Sequence, residues 1–96
     1  MALKKTPKRK LVEIAGSLKA MTHPMRLRIV EILHPKELTV SAIQKNLGLP
    51  QAVTSQHLAA LRRFGAVKAR RDGNHMYYSL ADKRLTKVMA LMMAKK

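Results

Sequence analysis

Apolar positions recur at helical spacing through the first two-thirds of this chain, then at a spacing of two. Leu11, Ile14, Ala15 and Leu18 predict a first helix over about residues 8–21, with Thr6-Pro7 as its cap and first turn. Thr22-His23-Pro24 breaks that pattern and starts a second helix at Pro24. Leu27, Ile29, Val30, Ile32 and Leu33 make this second helix apolar over more than half its circumference, so it is predicted as the central core helix, ending by Pro35. Thr39 caps a short third helix that carries Val40, Ile43 and Leu47 inward and stops at Gly48. Pro50 starts a fourth helix, which runs to about Phe64 and stops at Gly65. Two short helices joined by a tight glycine-containing turn are the mark of a helix-turn-helix.

Beyond Gly65 the period falls to two. Val67–Arg71 and His75–Leu80 predict two strands, with Asp72-Gly73 as the hairpin signal between them. Met76, Tyr78 and Leu80 share one face, matched by Val67 and Ala69 on the partner strand. A two-stranded ribbon after a helix-turn-helix is a wing. Asp82 then caps a last helix with Leu85, Val88, Met89, Leu91, Met92 and Met93 as its apolar set. The predicted fold is mainly α with a small β-hairpin, a winged helix-turn-helix in the order α-α-α-α-β-β-α. Residues 1–9 form a basic N-terminal arm and residues 10–94 the single domain.

Charge gives this scaffold a partner. Among 96 residues, 20 are Lys or Arg and five are Asp or Glu, a formal net charge of +15. The charge is even along the chain, +7 over residues 1–48 and +8 over residues 49–96, so no acidic half docks on a basic half. A polyanion is needed, with double-stranded DNA as the first candidate and a membrane surface as the second. The longest apolar run, Val88 to Ala94, is too short to span a bilayer, and the N-terminus shows no secretory apolar segment. A soluble cytoplasmic protein is the expectation. Cysteine is absent, which removes disulfides and thiolate metal sites. No Ser-His-Asp set, carboxylate pair or phosphate-binding glycine loop can be assembled, so no enzyme is expected.

On a helical projection of the fourth helix, Thr54, Leu58 and Leu61 form the buried stripe. Ala52, Val53, Gln56, Ala59, Ala60 and Arg63 point away from it, with Ser55 on the flank. In a major groove, Gln56 can pair with an adenine edge and Val53 can meet a thymine methyl, while Arg63 is placed to reach phosphate. The wing adds Lys68, Arg70, Arg71, Asn74 and His75 as backbone or minor-groove contacts. Two readings remain open: a sequence-specific dimeric regulator, and a non-specific architectural DNA-binding protein supported by the charge and the alanine-rich outer face.

Three stretches, THPMRLRIVEIL, ELTVSAIQKNLGLPQAVTSQHLAALRRFGAV and RRDGNHMYYSL, resemble the ArsR/SmtB family of bacterial winged-helix repressors. The resemblance covers about residues 10–93. It implies a homodimer that binds an operator and represses transcription, with base readers at Gln51, Val53, Ser55 and Gln56. It also implies a dimer interface built from the first and last helices, here Leu11, Ile14 and Leu18 with Leu85, Val88, Met89 and Met92. Metal-sensing members carry cysteines in the third helix, where this chain has Thr39, Ser41 and Ala42. Others use a carboxylate and histidines in the last helix, but Asp82 to Lys96 holds no histidine and no second carboxylate. No metal, no cofactor and no identified inducer are expected. His23, His34, His57 and His75 are expected to be structural or solvent-exposed.

Overall fold

Proline and glycine set the helix boundaries in the computed structural model, which describes residues 5–94. The elements are α1 (Lys8–Ala20), α2 (Pro24–Leu33), β1 (Leu38–Thr39), α3 (Val40–Leu47), α4 (Gln51–Arg63), β2 (Val67–Asp72), β3 (His75–Leu80) and α5 (Arg84–Met93). Pro7 and Pro50 each sit one residue before a helix, at the N-cap rather than inside the first turn. Their carbonyls still serve the helices: Pro7 accepts from the N–H groups of Lys10 and Leu11, and Pro50 from that of Thr54. Pro24 opens α2 directly, and the Thr39 hydroxyl accepts from the Ala42 N–H as predicted. Gly48 adopts φ 66°, a left-handed conformation that costs glycine nothing, and so ends α3 three residues before α4 begins.

Four sequence-based boundaries shift. Residues 1–4 of the predicted basic arm lie outside the described residues, while Lys8 and Arg9 already belong to α1. The last helix starts at Arg84, with Lys83 at the N-cap position. Asp82 still acts on it, because its carboxylate accepts from the Arg84 N–H at 3.1 Å and pairs with the Arg84 guanidinium. The wing's first strand extends to Asp72, which pairs with His75, so the two-residue loop is Gly73-Asn74. Gly73 there takes φ 62°.

The fourth shift adds an element. Leu38 and Thr39 form a two-residue strand that pairs antiparallel with Tyr78 and Tyr77, giving a three-stranded sheet in the order β1-β3-β2. The ladder ties the wing to the segment that leads into α3.

The core lies beneath α2, as the apolar pattern predicts. Ile29, Val30 and Leu33 pack with Ile43 of α3, Leu58 and Leu61 of α4, and Val67, Leu80 and Leu85 from the wing and α5. Thr54 is fully buried among them, and its hydroxyl is satisfied by donating to the Pro50 carbonyl at 3.1 Å. Only Ala20 of α1 is buried. Higher up α1, Gly16 meets the ring of Phe64 so closely that a Cβ there would lie 2.9 Å from it. That contact docks α1 on the end of α4.

Candidate nucleic-acid interface

The first turns of α4 stand clear of the core. Gln51, Ala52, Ser55 and Gln56 are exposed, and Val53 is half-buried. Thr54, His57, Leu58 and Leu61 hold the opposite face against α2 and α3. This produces a rigid helix with a narrow polar edge, presented after a three-residue turn. Arg62 and Arg63 occupy its last turn, where cations suit the negative end of the helix dipole.

The wing's basic residues do not form one cluster. The register places Lys68 opposite Ser79 and Arg70 opposite Tyr77, on one face of the sheet. Arg71 lies opposite Met76, on the other face with Ala69 and Val67. Asn74 and His75 form the tip and are exposed. Arg70 is occupied: its Nη2 and Nε donate to the Glu37 carboxylate at 2.6 and 3.1 Å, and its guanidinium sits 4.6 Å above the Tyr77 ring. The hydrogen bond from Arg70 is the main reason that the Glu37 carboxyl is held below its ordinary pKa. Glu37 immediately precedes β1, so the pair braces the wing against the entry to α3.

Known proteins share this arrangement. Residues 21–70 match the helix-turn-helix domain family HTH_20. The transcriptional repressor PagR of Bacillus anthracis is 40% identical over 83 residues, covering 85% of this chain and 83% of PagR. Its crystal structure superposes with a TM-score of 0.80 at 38% identity, over 90% of this chain and 99% of that one. The homodimeric winged helix-turn-helix DNA-binding domain Mb0332 of Mycobacterium bovis, a possible ArsR-family regulator, gives a TM-score of 0.79 at 33% identity, over 96% and 86% of the two chains. This chain belongs to the ArsR family of winged helix-turn-helix transcriptional regulators. The nodulation protein NolR of Rhizobium meliloti is 38% identical over 78 residues, but this chain, matched over 81% of its own length, spans only 64% of NolR.

Within this ArsR-family fold the structure brings together Gln51, Val53, Ser55 and Gln56 on one end of α4. Arg63 lies seven residues beyond Gln56, beside a cleft that it shares with Lys10, Glu13, Phe64, Asp82 and Arg84. It is therefore separated from that end of the helix. Leu11, Ile14, Leu18 and Val88 are exposed apolar residues, and Met92 is 82% exposed. Met89 is half-buried against the core. Leu85 requires correction: it is 4% exposed in the single chain and belongs to the core, so it has almost no surface left for a partner. The helical period places Leu85 and Met92 on one side of α5, but Leu85 lies in the turn that packs on α2.

Sequence reasoning missed three residues. Glu37 carried no periodic signal. Arg26 and His23 looked like parts of a helix start, but both reach His57 on α4. Among the described residues no group of three or more His, Asp or Glu is placed to hold a metal ion. No helix among them is long and apolar enough to cross a membrane.

Because Arg70 is engaged and Arg71 is not, their DNA contributions should differ. Arg71→Ala is expected to lower the slope of log affinity against log salt by about 1, the value of one lost phosphate contact. Arg70→Ala should lower it less. Equal changes for both variants in a salt titration of duplex binding would remove the distinction.

Proposed function

We propose that this chain is a homodimeric transcriptional repressor that binds operator DNA, laying α4 in the major groove and the wing along the adjacent backbone. The observation that carries this reading is the first two turns of α4, whose polar edge projects while its other face is locked in the core. Gln51, Ser55 and Gln56 are the base-facing polar groups, and Val53 offers apolar contact. Lys68, Arg71, Asn74, His75 and Arg63 supply backbone contacts. The apolar faces of α1 and α5 join two copies, so that two α4 helices address half-sites about 34 Å apart, one turn of duplex. The protein acts on DNA in the bacterial cytoplasm without catalysis. The names of PagR as a repressor and Mb0332 as homodimeric support the same assignment.

The alanines on the outer face of α4 limit the number of direct base contacts, so phosphate contacts carry most of the affinity. Gln56 then matters disproportionately to specificity. Gln56→Ala is expected to weaken specific binding by ~1–3 kcal/mol and to relax preference at one base pair. Selection of bound duplexes from a random pool, followed by gel shift of the winners, checks this. Unchanged discrimination by the variant contradicts the groove placement. Equal wild-type affinity for the region upstream of its own gene and for random duplex overturns the operator reading and favours non-specific coating.

A further inference from the structure

We propose that His57, held with His23 and Arg26 where α1, α2 and α4 meet, is a proton-operated switch that releases DNA in acid. The proposal rests on α4 being the DNA-reading helix and adds a regulating signal to it.

His57 follows Gln56 on α4 but points inward and is 7% exposed. Its Nδ1 accepts from Arg26 Nε at 3.2 Å. The same guanidinium donates through Nη1 to the carbonyl of Ala20, the last residue of α1, at 3.4 Å. The His23 ring lies 4.4 Å from that of His57, and its own Nδ1 caps α2 by accepting from the Met25 N–H at 3.0 Å. One permanently charged side chain thus links the end of α1 to the back of α4.

Arginine can only donate, so Nδ1 of His57 must present its lone pair, and the neutral ring carries its proton on Nε2. A second proton has only Nδ1 to occupy. There it turns the acceptor into a donor, breaks the bond from Arg26 and sets two cations face to face.

Among the described residues the five Asp and Glu carboxylates all pair elsewhere. On α4 no other residue from Val53 to Leu61 ionises. On α2 the facing groups are His23 and Arg26, while Arg28 and Glu31 pair with each other. The last turn of α1 carries Lys19 and presents the Ala20 carbonyl, while Glu13 lies by Arg63 and Phe64 at the far end of α4. The ionisable residue of α3 is Lys45, and β2 carries Lys68, Arg70 and Arg71, with Asp72 at the wing tip. Burial first, then His23 and Arg26, push the His57 imidazolium below the ordinary histidine pKa. The sign follows from linkage. With a folded value below the unfolded one near 6.5, the unfolded or detached state takes the proton first. Stability is therefore full above about pH 6.5 and is lost as pH falls towards the folded value. Relief comes from α4 separating from the start of α2, which moves Gln56 and breaks the tie to α1.

The expected direction is opposite to simple electrostatics, since protonating histidines on a basic protein strengthens its attraction to DNA. The test compares duplex binding from about pH 7.5 to about pH 5 at fixed ionic strength, across the histidine range. The probe is the region upstream of the protein's own gene, with imidazole titrations by NMR in parallel. Wild type is expected to lose affinity as pH falls through the histidine range. His57→Asn keeps an oxygen where Nδ1 sits, still accepts from Arg26 and cannot titrate, so its affinity should stay nearly flat. The His57 midpoint should lie below about 6.5 and rise in Arg26→Gln. Wild-type affinity that holds or grows in acid overturns the switch, as does equal loss in His57→Asn or a midpoint at or above 6.5. If specific binding is absent already at neutral pH, the operator reading alone fails. The His57 midpoint and the α4 amide shifts then decide whether acid loosens the junction.

Discussion

Met92→Asp is expected to give a folded monomer that has lost tight operator binding. Met92 is 82% exposed and neighbours Leu91 and Met93, which are 77% and 71% exposed, so within one chain the substitution disturbs almost nothing. These residues continue the apolar surface of Val88 on α5, and α1 adds Leu11, Val12, Ile14 and Leu18. So many large apolar side chains left exposed on two helices of a chain with a net charge of +15 mark an interaction site rather than an ordinary surface. In a two-fold dimer each change appears twice, so two unpaired carboxylates enter the interface. Each costs on the order of 3–5 kcal/mol when left buried without a partner. The loss should appear as monomer in sedimentation, with circular dichroism unchanged. DNA affinity falls with it, because one half-site no longer holds the other in place. A variant that remains dimeric and binds as wild type does would move the interface away from α5.

Leu85→Asp, seven residues earlier on the same helix, is expected to unfold the chain instead. Leu85 is 4% exposed and sits in the cluster with Ile29, Val30 and Leu33. A carboxylate there has no hydrogen-bonding partner and displaces a well-packed side chain. The expected cost of ~3–5 kcal/mol is a large share of the about 5–15 kcal/mol that holds a domain together. A chain of 96 residues has the smaller reserve, since small domains bury a lower fraction of their surface. Thermal or urea unfolding measures the effect directly. A folded, monomeric Leu85→Asp protein would return this residue to the interface. The two variants together separate core from contact surface on a single helix.

The candidate site was legible in proportion to how local its signals are. The outward turn of Gln56 follows from helical period alone: Thr54, Leu58 and Leu61 go inward, so Ala52, Gln56 and Arg63 point away, with Ser55 on the flank, whereas Gln51 entered only through the family resemblance. The shared wing face of Val67, Ala69, Tyr78 and Leu80 follows from a period of two, and the observed register agrees with it. Arg70 shows where that reasoning stops. Its charge matches that of its neighbour Arg71, but it is bound by Glu37, a residue 33 positions away in the chain.

The sequence by itself determined the helix-turn-helix, its boundaries to within a residue or two, the central place of α2 and the sign of the charge. These rest on spacing, capping and composition, which act over a few neighbours. The tertiary structure alone decided three matters. It paired Leu38 and Thr39 with the wing, a strand too short to show any period. It divided α5 between the core at Leu85 and an open face at Met92, because packing against α2 covers one end of that helix only. And it brought His23, Arg26 and His57 together across 31 residues of chain between Arg26 and its acceptor. Helical period puts His57 beside the buried stripe of α4, but no local window shows its partners, which come from α2 and the residue that caps it.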